Sequence, residues 1–79
     1  MRRDAAEAHI KAAFKKVSEQ TTRESSTYRS WVETWSRTDC QPATPEDVQA
    51  FKAVPRGQGH HVSAVGAVIT LRCELDSGD

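Results

Sequence analysis

The stretch Val62–Leu75, VSAVGAVITLRCEL, constrains this chain most, because it reads as the one β-rich run in a chain that otherwise reads as helix, and its apolar pattern changes phase partway along. Drawn out as one straight strand, its 14 residues would extend about 46 Å at roughly 3.3 Å per residue. A compact chain of 79 residues has a diameter of only about 30 Å, so the run must either fold back or leave its own domain. Val62 and Ala64 alternate with polar neighbours before Gly66, whereas Ile69, Leu71 and Cys73 alternate after it, and the phase flips at Gly66-Ala67. A two-residue turn with Gly first, type II′, repairs the flip by pairing Val65 with Val68, Ala64 with Ile69, Val62 with Leu71 and His60 with Cys73. One face then carries Val62, Ala64, Ile69, Leu71 and Cys73, and the other carries His61, Ser63, Thr70 and Arg72. This predicts a positive φ at Gly66. The alternative is a single long bulged strand that pairs in a dimer or with a partner.

Upstream, Ala6, Ile10, Ala13, Phe14 and Val17 recur at helical spacing and predict a first helix over about 4–20. Thr21 with Glu24 three residues later reads as a capping box that opens a second helix over about 22–37. Its stripe would be Tyr28, Trp31, Val32 and Trp35. Thr44 followed by Pro45, Glu46 and Asp47 combines an N-cap, a first-turn proline and acids at the positive helix end, predicting a third helix over about 45–54. Val48, Phe51 and Val54 would face inward, with Pro55 as the stop. The expected fold is therefore α+β in a single domain, 1–79, with three helices followed by a C-terminal β-hairpin over about 60–65 and 68–75.

A core this small supplies only about 3 to 5 kcal/mol, so help from association is expected. The formal net charge is zero, yet residues 1–37 hold eight Lys or Arg against five acids and residues 38–79 hold three against six, leaving halves of +3 and −3. No apolar run reaches the length of a membrane span, and the start MRRDAAEAHIKAAF has charges where a signal peptide needs apolar residues, which predicts a cytoplasmic protein. Two cysteines are too few for a disulfide framework and are expected as thiols.

Cys40, His60, His61 and Cys73 have the right chemistry for zinc, and the hairpin register sets His60 beside Cys73. Successive strand residues point to opposite faces, however, so His60 and His61 cannot both join Cys73, and a four-ligand structural site is not assembled. Cys73 reads better as a small core residue. Arg56, Gly57, Gln58 and Gly59 lack the Lys-Ser/Thr ending of a phosphate loop and read as a connector. No glycine elbow or oxyanion segment accompanies either cysteine. Neither a cofactor nor an enzymatic activity is expected.

These features point to a small nonenzymatic protein-binding module, accessory or inhibitor-like in the manner of many phage-encoded proteins. It would act by occupying a surface of a larger partner or by forming a homodimer. The expected contact residues are Tyr28, Trp31 and Trp35 with Val65, Val68, Thr70 and Arg72 of the hairpin. The competing expectation is a nucleic-acid binder, since three helices followed by a hairpin is the element order of a winged helix. Glu46 and Asp47 would then repel phosphates at the reading helix, and the wing tip Val65-Gly66-Ala67-Val68 has no cation, so any such binding would fall to Lys11, Lys15 and Lys16.

Overall fold

The computed structural model describes residues 1–55 and 57–76. Its elements run α1 (Arg3–Ala13), β1 (Phe14–Glu24), β2 (Tyr28–Arg37), α2 (Pro45–Lys52), β3 (Gln58–Val65) and β4 (Val68–Asp76). The strands form one sheet in the order β1-β2-β4-β3, each antiparallel to its neighbour. The class is α+β, but the expected arrangement of three helices and a hairpin is corrected to two helices on one face of a four-stranded sheet.

The first correction lies at Phe14. The predicted helix over 4–20 stops at Ala13, and Phe14 turns extended (φ −129°, ψ 153°) while its ring stays buried. Ala6, Ile10 and Phe14 thus keep the inward positions that helical spacing gave them, whereas Val17 is 62% exposed. Beyond Phe14 the sequence KKVSEQTTRE has no further inward apolar residue to hold a helix against the core, and its Val and Thr residues favour a strand.

The second correction is larger. The predicted helix over 22–37 is β2, reached from β1 by a tight turn in which the Ser25 amide donates to the Tyr28 carbonyl at 2.7 Å. Along β2, Trp31, Glu33 and Trp35 alternate inward, opposite Cys73, Leu71 and Ile69 of β4. Tyr28, Ser30, Val32, Thr34 and Ser36 fall on the other face. Glu33 is the residue that disguises this period. It is only 4% exposed and accepts both indole N–H groups, from Trp31 at 2.8 Å and from Trp35 at 3.0 Å. A carboxylate between two tryptophans is sustained there by those bonds, since a buried charge without donors would be strongly disfavoured.

The third helix and the C-terminal strands follow their sequence signals closely. Thr44 caps α2 by accepting from the Asp47 amide, and the Asp47 carboxylate accepts from the Thr44 amide in return. β3 and β4 pair Val65 with Val68, Ala64 with Ile69 and Val62 with Leu71, around a Gly66 whose φ is +59°. Ala67 has no positive φ, as a type II′ turn requires. Only the far end departs: pairing steps from His61–Arg72 to Gln58–Glu74, so Gly59 and His60 together oppose Cys73 in a bulge.

The core lies between the helices and the inner sheet face. Phe51 is fully buried, with Phe14 edge-on at 5.0 Å and Trp35 at 5.5 Å, and Ala6, Ile10, Ala50 and Val54 close over Ile69 and Leu71.

Candidate functional site

The helices cover one face of the sheet, so the second face is open to solvent. Strand registers place residues there in rows that run across all four strands. Ser18, Thr34, Thr70 and Ser63 form one row, and Gln20, Val32, Arg72 and His61 form the next. The face is therefore polar, rich in hydroxyls and studded with small apolar residues. Tyr28 lies at one end, its hydroxyl donating to Glu74 at 2.8 Å, and a shallow groove of about 370 Å³ runs beside it among Thr22, Ser30, Val32, Arg72 and Glu74.

The two edges of this sheet are built differently. β1 carries Lys15, Lys16, Glu19, Arg23 and Glu24, and its pairing is interrupted by bulges at Val17 and Thr22. Lys16 and Arg29 both reach Glu19, at 2.6 and 3.3 Å, and the Lys16 contact leads the pair in drawing the Glu19 carboxyl below its usual range. β3, QGHHVSAV, has no Asp, Glu, Lys, Arg or Pro, and beyond its bulge it is regular from His61 to Val65. His61, Ser63, Ala64 and Val65 are exposed, Val65 by 80%.

Hairpin geometry settles where the β3 backbone points. The residues flanking a two-residue turn exchange both hydrogen bonds, so Val65, Ser63 and His61 turn their N–H and C=O groups toward β4. Val62 and Ala64 turn theirs outward. Among the described residues, no bond from another segment reaches either backbone. The segment His61–Val65 is thus a short template of unpaired donors and acceptors, without the charges, prolines or bulges that normally blunt an edge.

The densest electrostatic cluster lies elsewhere and ties the fold together. Asp47 is fully buried, with His9 Nε2 2.6 Å from Oδ1, Arg37 Nη1 donating to Oδ2 at 2.6 Å and the Thr44 amide donating at 2.8 Å. Burial alone would push the Asp47 carboxyl upward, but the Thr44 amide, His9 and Arg37 outweigh it and hold the group at about 2. Arg37 also forks onto Asp39 at 2.6 and 2.9 Å, which keeps the Asp39 carboxyl well below and the guanidinium above their ordinary ranges. These bonds join α1, the end of β2 and the start of α2, and their chemistry is that of a clamp.

The residues picked out from sequence scatter across these regions. Tyr28, Val65, Val68, Thr70 and Arg72 share the open face, whereas Trp31 is 8% exposed and Trp35 packs on Phe51, so both rings belong to the core layer. Lys11 sits in the last turn of α1, and Lys15 and Lys16 face Ser36 and Trp35 from opposite sides of β1, which breaks the expected basic stripe. The two-helix layout is not that of a winged helix. Cys73 is buried in the core, Cys40 is exposed in the β2–α2 loop, and no cluster of three metal-ligating side chains forms among the described residues. Of the Arg56–Gly59 connector, Arg56 lies outside the described residues. Among those described, no helix is long and apolar enough to cross a membrane. Sequence reasoning named Val65 but passed over Val62 and Ala64, although the charge-free run from Gln58 to Val65 was a readable sign of an unblunted edge. Comparison with family models, curated proteins and solved structures finds no match to this chain.

Proposed function

We propose that this chain is a nonenzymatic protein-binding module that takes an extended segment of its partner onto the His61–Val65 edge of β3. One observation carries the reading: Val62 and Ala64 direct unpaired backbone groups outward from an uncharged strand, while the opposite edge is bulged and charged. Strand addition draws affinity from main-chain hydrogen bonds and specificity from alternate side chains. Here the alternate side chains are His61, Ser63 and Val65 on the open face, where Thr70, Arg72 and Val68 stand next to them across the hairpin. Two cysteines, one exposed and one buried, are too few for a disulfide framework, which supports the cytoplasm as the proposed setting.

Affinity capture with the wild type and with Ala64→Pro, read by amide hydrogen exchange, tests this. Proline at Ala64 removes an outward N–H and no bond to β4, so the fold is retained. A partner that slows exchange at the Val62 and Ala64 amides, and that the proline variant fails to hold, is the expected result. Partners that protect β1 or the helices, or that bind both forms equally, overturn it.

A further inference from the structure

We propose that the segment taken at this edge is β3 of a second copy of the chain, paired antiparallel about a twofold axis at Ser63. The inference rests on the strand-addition reading above and adds the identity of the strand.

Backbone geometry restricts the register. In an antiparallel pair an outward-turned residue must face an outward-turned residue, so Val62 and Ala64 can meet only Val62 and Ala64. Setting Val62 opposite itself brings Ala64 against the bulged His60, and setting Ala64 opposite itself brings Val62 against Gly66 of the turn. Setting Val62 opposite the second copy's Ala64 makes two full hydrogen-bonded pairs, four bonds in all, and puts Ser63 opposite Ser63.

The side chains agree with that register on both faces. On the helix-covered face, Ile69 lies beside Ala64, and the row continues across the axis into Val62 and Leu71 of the second copy. On the open face, the row Ser18, Thr34, Thr70, Ser63 runs on into its own mirror sequence. Val65, 80% exposed in one chain, comes beside His61 of the other. Charge raises no obstacle, because the paired segments carry no Asp, Glu, Lys or Arg. The outer edges of the resulting sheet would both be β1, which is already blunted, so growth stops at two copies. Five paired residues on each side form a small interface, for which a dissociation constant on the order of micromolar is expected.

Sedimentation of the purified chain over a concentration series is the first measurement, with Ala64→Pro, Ser63→Lys and Ser63→Glu alongside. A wild-type dimer, folded monomers for all three variants, and a dimer restored on mixing Ser63→Lys with Ser63→Glu are expected. Like charges at the axis should weaken pairing about tenfold or more. In a Cys40→Ser background, Ser63→Cys should cross-link under oxidation, since directly opposed residues at a non-hydrogen-bonded site have Cα atoms about 4.5 Å apart, within disulfide reach. Val65→Cys should not, because Val65 opposes His61. A wild type that stays monomeric at about a hundred times micromolar overturns self-pairing and leaves strand addition to be judged by the capture experiment. A dimer that survives Ala64→Pro is held by another surface and overturns self-pairing at this edge, with strand addition again judged by the capture experiment.

Discussion

The two edges of the sheet belong to the same fold and face the same solvent, yet one is blunted against pairing and the other is not. β1 places five charged residues in eleven positions, and its two bulges break the regular spacing that an incoming strand would need. β3 spends its one bulge at Gly59-His60 and is regular from there to its turn. An accident of composition would leave either edge open with equal ease. All of the edge-strand charges and two of the three bulges lie on β1, which supports the proposal that the His61–Val65 edge takes an added strand, and the variants that follow test how that edge is built.

The largest effect is expected at the entrance to β3. Gly57 has φ +84°, and a Cβ there would lie 2.4 Å from the Glu74 carbonyl oxygen and 3.1 Å from the Trp31 ring. No backbone atom can yield that much without parting β3 from β4. Gly57→Ala should therefore cost about 2 to 4 kcal/mol, combining left-handed strain with steric clash, as read by chemical denaturation. It should also loosen the Val62 and Ala64 register. If stability falls by less than about 1 kcal/mol, the close approach is not what positions the edge.

Asp47 secures the other end of the same hairpin. The loop it clamps beyond β2 returns to the β3–β4 turn, where the Ala43 amide donates to the Gly66 carbonyl at 2.8 Å. Its carboxyl sits at about 2 in the folded protein against about 3.9 in an unfolded chain. A depressed folded value means that the ionised form is favoured by folding, so this stabilisation is complete above the unfolded value and is lost as pH falls from about 4 through about 2. The expected loss is on the order of 2 kcal/mol. Asp47→Asn should remove a similar amount at neutral pH and flatten that acid limb in a pH series of denaturation midpoints, while Ser18–Glu24 of β1, beyond the Phe14–Arg37 pair through which the clamp touches that strand, keeps its hydrogen-exchange pattern.

Much of this hairpin was legible in the sequence because local signals and tertiary demands agree there. Gly66 supplies the turn, the apolar phase on each side supplies the register, and Thr44-Pro45 supplies the start of α2. The β1–β2 half was not legible, for two physical reasons. Phe14 satisfies helical spacing from Ala6 and Ile10 and is equally inward as the first residue of a strand, so periodicity does not mark where the helix ends. In β2, Tyr28, Trp31, Val32 and Trp35 fit a helical stripe, while the true two-residue period passes through Glu33, a charge that sequence reasoning assigns to solvent and that the two indoles hold inside. The open edge was half legible: its lack of charge could be read directly, but which backbone groups turn outward depends on the pairing, and whether the strand is an edge depends on the strand order.

The smallest effect gives the most discriminating comparison, because each edge displays one solvent-exposed valine, Val17 at 62% and Val65 at 80%. In an isolated chain the two are equivalent: Val17→Ser and Val65→Ser should each change folding stability by no more than about 0.5 kcal/mol, as surface substitutions do. Association should separate them. Across the proposed twofold axis Val65 meets His61 of the second copy, and symmetry makes that contact twice, so losing a cross-strand pair worth roughly 0.2 to 1 kcal/mol each time should weaken dimerisation by about tenfold. Val17 sits in a bulge whose irregular backbone offers no place for an added strand, and its replacement should leave the dimerisation constant unchanged. Sedimentation equilibrium on the two variants reads both values directly. Equal weakening would mean that exposed apolar area alone drives association at either edge, and the distinction between a blunted strand and an available one would lose its physical basis.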